Sequence, residues 1–266
     1  DVCSSDLREG EAHLQIISEA SDPNIANILT NYAQAIVTDF NHEQYLVHHL
    51  PLTIVPEVRM LFNPNLDGVY MFVPGTIALI LMLVSAMMTS ISITREKEHG
   101  TMETLLVSPL KPVQIILGKV TPYIVLSFIN AVTIILLGFF VFNVPVQGSV
   151  VLLLIESLLF IIQALSLGIL ISTLSNSQQV AMFISMFAIM LPTMLLSGFI
   201  FPIENMPWPL QWLSVLMPPR WFIVIIKNIM IKGTGLLFVW KETLILIAMT
   251  TVFIGLSVKK FKIRLE

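Results

Sequence analysis

The chain has 266 residues, 56% hydrophobic and 12% charged, with a mean hydropathy of +0.87, where a soluble domain carries roughly 45–50% apolar and about 25% charged residues. That apolar excess must face something other than water. The net charge of −3 gives no basic footprint for nucleic acid, and a single cysteine, Cys3, excludes a disulfide within the chain.

Asp1 to Leu7 resembles the translation of a sequencing adapter, so residues 1–7 are expected to be a non-native leader and an intact N-terminus to lie elsewhere. The following segment is acidic. From Asp1 to Met71 ten acidic residues stand against Arg8 and Arg59, and from Phe72 onward seven acids meet twelve basic residues. This asymmetry predicts a water-facing segment, 8–71, joined to a membrane domain, 72–266. Within 8–71, the apolar run Leu14 to Ile17 comes first. Ser21 or Asp22 is placed to cap a helix that has Pro23 in its first turn and Ile25, Ile28, Leu29, Tyr32, Ala33, Ile36 and Val37 at helical spacing. A second extended stretch, Leu52 to Phe62, closes on the turn residues Asn63, Pro64 and Asn65. The expectation is a partial mixed α/β domain. The histidines, His13, His42, His48, His49 and His99, show no metal-ligand spacing.

Five bilayer-length segments follow. The first, Phe72 to Thr94, is 23 uncharged residues, about 35 Å as a helix and enough to span. The others are expected at about 120–142, 149–172, 180–203 and 243–258. The fold class read from this is an all-α polytopic membrane protein. Segment 204–241 is apolar but carries Pro207, Pro209, Pro218 and Pro219, which forbids one straight helix and predicts re-entrant half-helices. Within the spans, Ala164, Gly168 and Ser172 form a small-residue ridge for close helix approach. Met182, Met186, Met190 and Met194 form a stripe with a kink expected at Pro192. Glu156 is the one ionisable residue inside a span, and it should face the bundle, with Arg220 or Lys227 as candidate partners.

Orientation follows from lysine and arginine near the span ends. Arg95, Lys97, Lys111 and Lys119 surround the first loop, 95–119, and Lys259, Lys260, Lys262 and Arg264 follow the last span. These regions should be cytoplasmic, which puts the C-terminus inside and the N-terminal segment, Asn65 included, outside. Gln114 and Asn176 should be inside and Gln147 outside.

The loop begins Arg95-Glu96-Lys97-Glu98-His99-Gly100-Thr101-Met102-Glu103-Thr104-Leu105-Leu106-Val107-Ser108-Pro109. Met102, Leu105 and Leu106 share a helical face and Glu103 suits a first turn, so a short interfacial helix is expected. Together with the block from Leu196 to Trp212, including Gly198, Pro202, Pro207 and Trp208, then Pro218-Pro219-Arg220, and with Asn63-Pro64 and Val73-Pro74-Gly75, this loop resembles the type-two exporter permeases of the ATP-binding-cassette superfamily, in the drug-export branch with a large extracytoplasmic domain. Members usually have six spans, and this sequence lacks the first. The resemblance implies a bacterial inner-membrane permease subunit that exports a hydrophobic or amphipathic substrate such as a drug. It implies docking of a separate nucleotide-binding ATPase on the loop Arg95 to Leu106, pairing with a second permease copy or paralogue, and contact with a periplasmic adaptor and with lipid. It implies no catalytic site and no cofactor on this chain, ATP and magnesium belonging to the partner; the sequence carries no GxxxxGK[ST] phosphate loop. Alternative readings are an ion-coupled carrier or channel, for which only Glu156 speaks, and a non-transporting membrane scaffold.

Overall fold

A computed structural model describes residues 11–48, 53–101 and 112–263. Met102 to Lys111, His49 to Leu52 and residues 1–10 lie outside the described part, and with them the expected docking positions Met102, Glu103, Leu105 and Leu106 and the seven-residue leader. The chain divides into two compact units between Met71 and Phe72.

The first unit is a β-α-β arrangement. Strand β1 (Glu11–Glu19) pairs in parallel with β2 (Thr53–Leu61), with Ile16 opposite Val58, and helix α1 (Pro23–His48) joins them. A parallel pair needs such a crossover, because a tight turn cannot bring the chain back in the same direction. Asp22 caps α1 as its spacing suggested, its Oδ1 accepting from the backbone N–H of Asn24 at 3.2 Å and Ile25 at 3.4 Å. Asn41 fixes α1 to the sheet, its side-chain amide donating to Ile54 O at 2.9 Å and accepting from Ile54 N at 3.0 Å. Asn63 closes the unit, exchanging two hydrogen bonds with the Asp67 backbone. The expected apolar stripe of α1 is only partly used: Val37 is buried, while Ile28, Leu29, Tyr32 and Ile36 are exposed.

The second unit is helical. Its elements are α2 (Val69–Glu98), α3 (Pro112–Phe140), α4 (Val150–Leu174), α5 (Gln178–Ser185), a π-helical stretch (Met186–Met190), α6 (Leu191–Leu196), a 3-10 turn (Ile203–Asn205), α7 (Trp208–Val215), α8 (Pro218–Met230) and α9 (Leu236–Ile263). Among the described residues five helical stretches are long and apolar enough to cross a membrane, with α7 and α8 forming a further pair bent by 79°. The chain is therefore an all-α polytopic membrane protein with a small sheet.

The spans differ from expectation at their ends, for physical reasons. Helix α2 keeps Arg95 to Glu98, and α3 starts at Pro112, so both ends of the expected 95–119 loop are helical; proline at a first helical position gives up an N–H that has no helical partner anyway. Ser149 caps α4, its Oγ accepting from Leu152 N at 3.4 Å. The fourth span stops at Leu196, seven residues early, because the chain turns at Gly198, where φ is +75°. The fifth starts at Leu236 and carries Lys241 and Glu242 inside the helix; a charge near a helix end can reach the interface along its own aliphatic stem. At Pro192, instead of a simple kink, the helix widens over Met186–Met190. Proline offers no N–H to the turn before it, and one wide turn absorbs the missing bond.

Helix α4 is the hub. Leu153, Phe160, Ile161, Ala164, Leu165, Gly168 and Ser172 are buried on it. A Cβ at Gly168 would stand 2.4 Å from Ala86 O, so the small-residue ridge lets α2 and α4 approach at backbone distance. Phe160 stacks on Phe222 of α8 with ring centroids 4.0 Å apart.

Candidate functional site

The uncharged stretch of α2 ends at Thr94, and the next turn projects charge. Arg95 and Lys97 sit in the last turn of the helix, where cations complement the exposed carbonyls. His99 N–H donates to Arg95 O at 3.1 Å and Gly100 N–H to Lys97 O at 3.2 Å, and Gly100, at φ +72°, turns the chain away. Among the described residues nothing lies within 4 Å of where its Cβ would be, and glycine suits the backbone conformation there. His99 Nδ1 meets Arg95 O at 2.9 Å; since a carbonyl only accepts, Nδ1 carries the proton.

The three residues between Arg95 and His99 reach three different helices. Glu96 Oε1 accepts from Lys119 Nζ of α3 at 2.6 Å, and Oε2 accepts from the Thr101 hydroxyl. Lys119, then Thr101, hold the Glu96 carboxyl below the usual carboxylate range. Lys97 Nζ donates to Ser172 O, one of the last carbonyls of α4. Glu98 Oε2 accepts from Gln178 N and Gln178 Nε2, each at 3.0 Å, at the first residue of α5. Those two bonds also hold the Glu98 carboxyl low, and a negative charge suits the free N–H groups of a helix start. Glu98, expected within the docking loop, also bonds within the chain, its carboxylate meeting the first residue of α5. Lys119, Ser172 and Gln178 were not among the expected site residues. Lys119 was visible as a cation near a span end, but nothing in the sequence pairs it with Glu96.

Glu156 is buried, at 2% exposure, as expected of an ionisable residue in a span. Its partner is not Arg220 or Lys227. Thr243 of α9 donates to Glu156 Oε1 at 2.8 Å, and Oε2 has no hydrogen-bond partner among the described residues. Arg220 is occupied elsewhere, donating to Ser214 Oγ and, at 3.4 Å, to Gln211 O, with its guanidinium 5.1 Å from the Trp221 ring. It therefore locks the bend between α7 and α8, where prolines 218 and 219 restart the helix.

The remaining expected residues build the turn that leads into that bend. Gly198 reverses the chain after α6, Pro202 precedes the 3-10 turn, and Pro207 precedes α7 with Trp208 exposed at its start. Gln211 Nε2 donates back to Met206 O at 2.8 Å. A cavity of about 490 Å³ lies here, lined by Leu191, Leu195, Phe201, Met206 and Leu210 among others. The structure thus gathers two groups of the expected residues, Glu96 to Thr101 at one end of the bundle and Gly198 to Arg220 at the other, with Glu156 in the span between.

Residues 5–259 match the family described as ABC-2 family transporter protein. The chain is 38% identical to the probable multidrug ABC transporter permease YbhR of Escherichia coli K12 over 241 residues, which is 90% of this chain and 65% of YbhR. It is 32% identical to the probable multidrug ABC transporter permease YbhS of the same organism, over 96% of this chain and 68% of YbhS. The inner membrane transport permease YhhJ of that strain is 31% identical over 77% of this chain and 55% of its own length. The chain thus spans about two thirds of the length of YbhR and YbhS and about half that of YhhJ. With the match covering nearly every residue, the spanning helices and the turn at Gly198 included, the chain belongs to the ABC-2 family of transporter proteins.

Proposed function

We propose that this chain is the permease part of a bacterial ATP-binding-cassette exporter, and that the loop after α2 receives a separate nucleotide-binding ATPase, on which ATP and magnesium act. The observation that carries the proposal is the last turn of α2. A helix that leaves the apolar layer into a charged turn, bends at Gly100 and is bonded to the ends of α3, α4 and α5 can pass a push on the loop to the spans. The names of YbhR and YbhS support export of drug-like compounds, and an apolar substrate suits the methionine stripe and the apolar cavity near α7. The site residues are Arg95 to Leu106 for coupling, Glu156 inside the membrane, and Gly198, Pro202, Pro207, Trp208 and Arg220 in the bent segment. Pairing with a second permease, contact with a periplasmic adaptor, placement in the inner membrane, a cytoplasmic loop after α2 and C-terminus, and an extracytoplasmic unit 8–71 complete the reading.

Copurification tests it. The products of neighbouring genes should include an ATPase that binds the permease and whose hydrolysis rises with substrate. Gly100→Val, strained at φ +72° with its Cβ meeting no described residue within 4 Å, and Leu105→Asn should leave membrane abundance normal and abolish that stimulation. Normal stimulation in both variants would leave the loop with a topological role only. Single-cysteine labelling from each side of sealed vesicles checks orientation, with position 147 outside and position 176 inside.

A further inference from the structure

We infer that Glu96, Lys97 and Glu98 form a branch point that holds three other helices independently, each through its own side chain. The observation is that three consecutive residues each contact a different helix. Glu96 takes α3 through Lys119, Lys97 takes the end of α4 through Ser172 O, and Glu98 takes the start of α5 through Gln178.

Consecutive residues on a helix point about 100° apart, so three in a row fan around most of its circumference. A helix end surrounded by other helices can therefore contact several of them only through neighbouring residues, and here each such residue carries a charge whose chemistry fits what it meets. The Glu96 carboxylate meets an ammonium on α3. Another ammonium meets a carbonyl at a helix end, where the last carbonyls have no helical donors. A carboxylate meets the backbone N–H and the side-chain amide of the first residue of a helix. Because the three contacts share no side chain, one can open while the others hold. Loop motion can then be delivered unequally, α3 moving without α5 or the reverse. These are positioning residues; none of them touches substrate in this arrangement.

The part the branch point plays in transport rests on the coupling reading above, but its existence is read without any ATPase. The experiment uses the full chain in lipid nanodiscs in a Cys3→Ser background, since Cys3 is the only cysteine. Spin labels are placed in pairs at His99 and Gly118 (α3), His99 and Leu174 (α4), and His99 and Gln179 (α5). All four sites are exposed, and a side chain at Gly118 meets nothing within 4 Å. Pulsed electron resonance distances are expected to be narrow in each pair. Glu96→Ala should broaden the 99–118 distance and leave 99–179 narrow, Glu98→Ala should do the opposite, and Lys97→Met should broaden 99–174. The exchange Glu96→Lys with Lys119→Glu should restore the narrow 99–118 distance. A general loosening of the fold would broaden every pair together, and an idle set of contacts would broaden none; either result overturns the inference. Failure to find a stimulated ATPase would remove the coupling reading and leave these distances standing.

Discussion

The two ends of the helical unit are held by different physics. Around the bent segment close steric contacts add to the hydrogen bonds of Arg220 and Gln211. A Cβ on Gly75 would stand 1.9 Å from the Phe199 ring, and one on Gly148 would stand 2.5 Å from Ile229 O. Nearby, Gln147 N–H donates to Met230 O at 2.9 Å. At the other end, Glu96, Lys97 and Glu98 hold their neighbours through charge at positions water can reach. Repulsion at van der Waals contact rises steeply, so the first end cannot be loosened by degrees. Exposed charged contacts are worth little each and exchange readily for water. The first end resists gradual loosening, and the second is held by contacts that can exchange for water one at a time.

The largest expected effect breaks the rigid end. Gly148→Val puts a branched side chain against a backbone carbonyl that cannot step aside, which costs about 1–3 kcal/mol or more. Membrane abundance and the melting temperature in detergent should both fall sharply. A variant with normal abundance and unchanged melting would show that the end yields as easily as the charged one.

The next prediction moves to the charged end, where stability and function should separate. Glu98→Ala is expected to leave abundance and ATPase copurification normal while substrate-stimulated hydrolysis drops by about tenfold. Equal loss of abundance would make Glu98 a structural cap and nothing more. The sign of its titration adds a check. A carboxylate held below its usual range keeps its bonds above that range and loses them only as pH falls through the lowered value. Mild acidification from neutral pH should therefore leave coupling intact.

Glu156 sits between the two ends and sharpens the contrast. Thr243 also donates to its own Val239 O at 2.9 Å, so removing the carboxylate leaves the hydroxyl with an acceptor. Glu156→Leu should change stability by no more than about 1 kcal/mol, in line with hydrogen bonds between membrane helices. Export lost at normal abundance would then assign Glu156 to substrate handling. Abundance and export both unchanged would leave it without a role.

What the sequence made legible follows the same division. Features set by neighbours in the chain were readable: five apolar spans, the Asp22 cap, the broken segment around four prolines, and the burial of Glu156. Features set by tertiary meeting were not. Arg220 looked like a partner for Glu156 because both are charges in an apolar context, yet Arg220 closes the α7–α8 bend, where Ser214 and the Gln211 carbonyl are nearer acceptors. Glu98 stood in the sequence only as part of the docking loop, because its acceptor role depends on Gln178, 80 positions away. The fourth span was read too long because Phe199, Ile200 and Phe201 continue the hydrophobicity past the residue, Gly198, that ends the helix.

The smallest expected effect tests whether the charged end is soft in the sense argued. Glu96 and Lys119 meet at 2.6 Å with about a quarter of each side chain exposed, 28% and 25%. A pair so placed is worth about 0.2–1 kcal/mol. A double-mutant cycle of Glu96→Gln and Lys119→Met, read as thermal stability in nanodiscs, should give a coupling inside that range. Raising the salt to about 1 M, where screening acts over about 3 Å, should shrink it further. The same salt should leave the Gly148 and Gly75 contacts untouched, since repulsion between atoms in contact does not depend on ionic strength. A coupling of several kcal/mol that ignores salt would place Glu96 and Lys119 with the rigid end of the molecule, and a bond of that strength could not open and close with each cycle of a partner ATPase.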